Sequence, residues 1–251
     1  MLHSQEYLGK VVNLSFKADD NIGDQFSAPS CFFEFPCVQD DACNWRNYLN
    51  THAIIFGGGC LLNKIKRQNI LSKTRALKIG WGLGYTNRFQ SLHDTNLSVL
   101  KEFDLVGCRD FGFGNYVPCV SCMAEEFEQK FNISHDVVIY ENAQFPMSIT
   151  GFPKADNRNG ELLEKLTFLG SGETIVTNSY HGAYWGILLG RKVVAIPTGS
   201  KFSYMKFAPV LTTLNDWKNA ISKAVRHREA LTDSRLLNEN FKVKVFSMLG
   251  L

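Results

Sequence analysis

The stretch Thr177-Asn-Ser-Tyr-His-Gly-Ala-Tyr-Trp-Gly-Ile-Leu-Leu-Gly-Arg-Lys-Val-Val-Ala-Ile-Pro197 decides the fold. It reads as the end of a strand, a short turn, a packed helix, a glycine stop at Gly190 and a second buried strand closed by Pro197. In an open α/β sheet, a strand end that leads into a helix is where ligands bind. His181 falls in the first turn of that helix, beside Gly182. A helix start offers free N–H groups and the positive end of the dipole. The position suits a general acid/base or an anion contact.

The same alternation runs outward in both directions. Strands are expected at 11–16, 53–56, 77–81 and 103–109, with a short one at 116–118, and then at 135–140, 174–177 and 192–197. Helices are expected after Pro29 through 31–35, and at 61–69, 160–169, 180–189 and 215–228. A closing helix is expected over 236–248, crossing back onto the first half. Apolar strands alternating with helices predict mostly parallel sheets. The charged run Glu125-Glu-Phe-Glu-Gln-Lys130 marks a change of regime. The expected architecture is α/β, with two small doubly wound, mostly parallel sheets facing one cleft. The first domain spans 1–130 and the second 131–251; one continuous sheet is the alternative.

Composition bounds the rest. The 251 residues are 45% hydrophobic and carry a net charge of only +3, so bulk charge gives no case for nucleic acid. Nineteen Phe point to a ring-rich core, with some rings available to a sugar-like acceptor. The start lacks a basic flank followed by an apolar run, and no stretch reaches 18 uninterrupted apolar residues. A cytoplasmic protein is expected. Seven Cys follow no disulfide framework, and Cys119 and Cys122 form a C-x-x-C pair with no second pair to complete a zinc site. Reduced thiols, no metal and no redox cofactor are expected.

Site candidates fall at strand ends in both halves. Asn21-Ile-Gly-Asp24 follows the first strand; Asp24 either accepts a sugar hydroxyl or caps the next helix. Gly57-Gly58-Gly59 and Gly80-Trp-Gly82-Leu-Gly84 let backbone approach a ligand or the other domain, and neither fits a phosphate-loop or dinucleotide pattern. Arg109, at the end of a strand, either holds a carboxylate or phosphate in a fork or pairs locally with Asp110. Asn178 or Ser179 caps the helix of His181, which is otherwise a core histidine with both nitrogens satisfied. Thr198-Gly-Ser-Lys201 is a loop that cradles a phosphate or is plainly solvated.

Taken in order, Asn21-Ile-Gly-Asp24, the Gly57 triplet, Gly80-Trp-Gly-Leu-Gly84, Cys108-Arg-Asp110 and Asn178-Ser-Tyr-His-Gly182 with the following Ile-Leu-Leu-Gly-Arg-Lys-Val-Val resemble the polysaccharide pyruvyl transferase family, from about Val11 to about Tyr204. Ser179 stands where many members carry Arg, and Tyr116 to Val120 replaces the usual Gly-Asp-Pro. The resemblance implies a GT-B-like pair of domains, acceptor side first and donor side second. It implies transfer of pyruvate from phosphoenolpyruvate to a glycan or lipid-linked sugar as a ketal. His181 and Asp24 would be catalytic. Arg109, Asn21, Gly58, Gly82, Ser179, Tyr180 and Lys201 would bind substrate. Peripheral association with the inner face of a membrane, through the acceptor, is compatible with it. A GT-B-like glycosyltransferase using a nucleotide sugar is the alternative, and a non-enzymatic glycan-binding relative is a third reading.

Overall fold

The computed structural model describes residues 9–17, 20–87 and 98–251. Five strands make the first sheet: β1 (Val11–Ser15), β2 (Val38–Asp41), β3 (Ala53–Gly57), β4 (Leu77–Leu83) and β5 (Leu105–Cys108). Five more make the second: β6 (His135–Glu141), β7 (Lys154–Asp156), β8 (Gly172–Thr177), β9 (Lys192–Ala195) and β10 (Val210–Leu211). Every strand pair is parallel. The orders are β2-β1-β3-β4-β5 and β10-β9-β8-β6-β7. Counted from its own first strand, each sheet therefore runs 2-1-3-4-5, and each has a switch point beside its first strand. The sheets are separate, so the single continuous sheet is excluded.

The central strands are apolar because both faces are covered. Ala53 to Phe56 in β3 are fully buried, as are Ile175 and Val176 in β8. The edge strands β2, β7 and β10 were not expected from sequence. They are four, three and two residues long, and β2 reads Val-Gln-Asp-Asp and β7 Lys-Ala-Asp. Short, charged edges resist pairing with other chains, and for the same reason carry no apolar signal.

The helices are α1 (Ile22–Gln25), α2 (Leu61–Gln68), α3 (Leu162–Gly170), α4 (Tyr180–Leu188), α5 (Trp217–Ala220) and α6 (Ala230–Leu249). Two expectations shorten. The helix over 31–35 is only a 3-10 turn, Pro29–Cys31, because Pro36 disfavours helical backbone just before it. The helix over 215–228 breaks after α5 into a 3-10 turn. There the Ser222 hydroxyl donates to the Asn219 carbonyl, offering that backbone acceptor an alternative to the helix. The 116–118 strand is reduced to a single bridge, Cys108 to Tyr116.

α6 follows the second sheet in sequence but packs on the first. Asn238 accepts a 2.8 Å hydrogen bond from the Trp81 indole, and Phe241 meets the Trp81 ring edge-on at 5.2 Å. Phe241 and Val245 complete a core with Ile55, Ile79 and Val117. Among the described residues no helix is long and apolar enough to cross a membrane.

Candidate functional site

The halves meet along the carboxyl ends of their strands. Ile22 N–H donates to the Asn157 carbonyl and Asn159 N–H to the Asp20 carbonyl, each at 3.0 Å, so the loop after β1 is stitched to the loop after β7. Asn87 and Ser200 exchange two bonds, and Phe111 N–H donates to Tyr204. Between these stitches lies a polar cavity of about 190 Å³. Its described lining includes Asn21 and Asp24 after β1, Thr86 after β4, Asn142 after β6, Arg158 after β7 and Lys201 after β9.

α1 is a single turn whose N-cap, Asn21, accepts from Gly23 N–H and donates to the Asp24 carboxylate at 2.8 Å. These bonds aim Asp24 at the cavity and hold it beside Gly59, where an added Cβ would lie 3.2 Å from its Oδ1. Gly23 has a different task. A Cβ there would overlap the His181 ring, whose Nδ1 faces it. The Asn-x-Gly-Asp turn of one half is thus the notch that admits the histidine of the other.

His181 sits in the first turn of α4. Ser179 is the N-cap, its Oγ accepting from Gly182 N–H at 3.3 Å. Only 4% of His181 is exposed. Its ring packs on Trp185 at 5.2 Å and edge-on to Tyr180 at 5.4 Å, and its Nε2 is 3.5 Å from the Cys119 sulfur. α4 is anchored from below, since Trp185 donates to Ser121 and Tyr184 to the Cys119 carbonyl. Burial, then the charges of Arg109 and Lys201, hold the imidazole well below its ordinary value. His181 is therefore neutral at physiological pH.

Arg109 lies behind the cavity and is 2% exposed. Its guanidinium packs against Gly84, which has no side chain to obstruct it, and lies 3.9 Å from the centroid of the Tyr180 ring. One nitrogen donates to the Cys60 sulfur at 3.0 Å; Nε and Nη1 have no partner. Among the described residues no ion pair reaches it, Asp110 included. Burial opposes the charge, but Cys60, Tyr180 and Asp110 outweigh it and raise Arg109, which stays a cation. Asp110 instead accepts from Tyr85 N–H at 2.7 Å with one oxygen and leaves the other unpartnered. Burial pushes its carboxyl up to about 6 against the pull of Arg109. A buried cation with two idle donors is costly unless an anion completes it.

Of the residues singled out from sequence, Asn21, Asp24 and Lys201 line the cavity, and Arg109, Tyr180, His181 and Ser179 form the buried wall behind it. Gly58 and Gly82 do neither. Both have positive φ, and their missing Cβ atoms make room for Ser27 and for the Pro118 carbonyl. The Cys119–Cys122 pair is core, with burial pushing the Cys122 thiol up to about 12. Sequence reasoning missed Asn142, Asn157, Arg158 and Cys60. Asn142 was findable as the first residue after β6; Asn157 and Arg158 follow an edge strand with no apolar signal.

The fold and site together define a class: a two-sheet α/β protein with a polar cavity between the strand ends and a buried arginine with two unpartnered nitrogens. No model of a known protein family matches the chain, and no curated protein matches it.

Proposed function

We propose that the chain is a GT-B-like transferase that modifies a glycan, moving pyruvate from phosphoenolpyruvate to two hydroxyls of one sugar as a ketal. The observation that carries this reading is Arg109, a buried cation with two unused donors beside a neutral histidine. A donor bearing a carboxylate and a phosphate on one small frame supplies what that fork lacks. The cavity, at about 190 Å³, also suits a small donor better than a nucleotide sugar.

In the reaction two sugar oxygens bond to C2 of the donor, the C2–O bond to phosphate breaks, and C3 gains a proton to become a methyl group. Of the two hydroxyl protons lost, one balances the methyl group and the other leaves with phosphate. Asp24 orients and deprotonates an acceptor hydroxyl. Arg109, with Lys201, neutralises the donor anion and the departing phosphate. His181 relays the proton to C3. Its neutrality in the free protein fits a coupled step: a bound anion offsets the field of Arg109 and Lys201, so proton uptake follows donor binding. The acceptor is a glycan or lipid-linked sugar at the cytoplasmic side of a membrane.

Thermal shift against phosphoenolpyruvate and a panel of nucleotide sugars tests the donor. A ligand present at 100 times its Kd adds about 2.7 kcal/mol to stability. The expected result is a shift with phosphoenolpyruvate that is lost in Arg109→Met. A shift with nucleotide sugars alone would make the protein a glycosyltransferase. No shift with either would leave a glycan-binding relative without this activity.

A further inference from the structure

Charge is segregated along this chain. Residues 42–93 contain eight Lys and Arg and no Asp or Glu, so the remainder is net acidic although the whole is +3. The fold gathers much of this segment on one face of the first sheet. The 3-10 turn Ala42–Tyr48 and α2 lie side by side there, joined by a Lys64 to Cys43 hydrogen bond of 2.8 Å, and their apolar sides share one core through Trp45, Tyr48, Leu62 and Ile65. The segment Leu71–Lys73 belongs to the same layer, since Thr74 and Arg75 bond back to the Leu49 carbonyl. Arg46 and Lys73 both sit over the Trp45 ring, at 4.7 and 5.5 Å.

Arg46, Lys64, Arg67, Lys73 and Arg75 thus share one layer, and all but Lys64 are exposed. None of the five joins an ion pair among the described residues. Several cations outside this patch are paired: Lys78 with Asp104, Lys154 with Glu141, Lys192 and Arg226 with Glu173, Lys206 with Asp233, and Arg235 with Glu128. No large hydrophobic side chain is exposed among the described residues of this face. None of the five lines the cleft.

We infer that this face is a docking surface for an anionic phospholipid bilayer. Five cations without an ion pair, on one surface with no exposed large hydrophobic side chain, match a sheet of negative charge. The rings beneath these cations are not exposed: Trp45 and Tyr48 are buried, Trp45 is covered by Arg46 and Lys73, and the half-buried Phe16 lies under Lys64, so no open platform is offered for stacking bases. With no apolar side chain to insert, the contact is electrostatic and reversible. It does not depend on which reaction the cleft performs.

The test is co-flotation of the whole protein with phosphatidylcholine vesicles, with and without phosphatidylserine. Binding is expected only with phosphatidylserine. It should be released by salt, because the screening length falls from about 8 Å at physiological ionic strength to about 3 Å at 1 M. Replacing Arg46, Arg67, Lys73 and Arg75 by Gln should weaken partitioning by roughly 10²–10³-fold, with the far-ultraviolet circular dichroism unchanged. If that variant does not fold, the salt and lipid dependence of the native protein still decides the matter. Equal binding to neutral vesicles, retention at high salt or full binding by the variant would overturn the inference. Preference for single-stranded nucleic acid over vesicles at the same ionic strength would overturn it as well.

Discussion

The two sheets share one strand order, yet their strand-end loops are built from opposite materials. The first half ends its strands in glycine: Gly23, the triplet at Gly57, and Gly82 and Gly84. The second half ends its strands in carboxamides and rings: Asn142, Asn157, Asn178, Tyr180 and His181. The difference is complementary, for the ring of His181 occupies the space that Gly23 leaves empty. Bulk on one side of the cleft needs a notch on the other, so the position of His181 is a joint property of both halves. Tyr180 repeats the lesson, capping a guanidinium that belongs to the first half.

The largest expected effect breaks the comparison at His181. His181→Ala should lower turnover by about 10²–10⁴-fold, the range for a lost general acid/base, while the melting transition stays cooperative. Near-normal turnover would remove His181 from the mechanism, and loss of the fold would make it a structural core residue. Gly23→Ala comes next. Its new Cβ overlaps the imidazole, so overpacking should cost about 1–3 kcal/mol. In a His181→Ala background the same change should be nearly neutral. Equal costs in both backgrounds, measured by denaturant melts, would show that the notch does not exist for the histidine.

Asn238→Ala asks whether α6 ties the halves together. It leaves the Trp81 indole buried without an acceptor, which should cost about 1–3 kcal/mol; an unchanged denaturation midpoint would show that α6 holds by apolar contact alone. Ser179→Ala removes an N-cap and should cost about 1 kcal/mol, an effect confined to stability unless Ser179 also touches substrate.

The smallest effect is a pH dependence. His181 lies well below its ordinary 6.5 in the folded state. Below that pH the unfolded chain binds a proton that the folded chain does not, so stability falls as pH falls through about 6.5. Asp110 acts in the opposite sense. Raised from 3.8 to about 6, it stabilises the fold in acid, and that contribution is lost as pH rises between those values. The two oppose one another between roughly pH 4 and 6 and leave a net rise between about pH 6 and 7. Melting temperatures across this range should lose that rise in His181→Asn; a variant that keeps it would assign the rise to another group.

Much of this was legible in the chain. β1, β3, β4, β6, β8 and β9 announce themselves as apolar runs because their faces are covered by other elements. The edges β2, β7 and β10 do not, because they are short or charged, whereas the remaining edge, β5, reads Leu-Val-Gly-Cys and is legible. Asp24, Arg109 and His181 could be singled out because each lies just past, or at the end of, a readable strand. Arg158 could not, for its strand is a silent edge. Gly58 and Gly82 looked like ligand-approach positions, but in a sequence a glycine that admits a ligand and one that admits a neighbouring backbone are the same letter.

What the sequence determined by itself was the alternation of strand and helix, and with it two parallel sheets with polar residues at their carboxyl ends. Those are local properties, set by periodicity over a few residues. Only the tertiary structure decided that Arg109 is buried with idle donors, that His181 is neutral and that Gly23 is its notch. Charge state and packing are sums over neighbours, and the neighbours of these residues come from stretches far away in the chain, Tyr180 and Cys60 around Arg109 and Gly23 and Cys119 around His181.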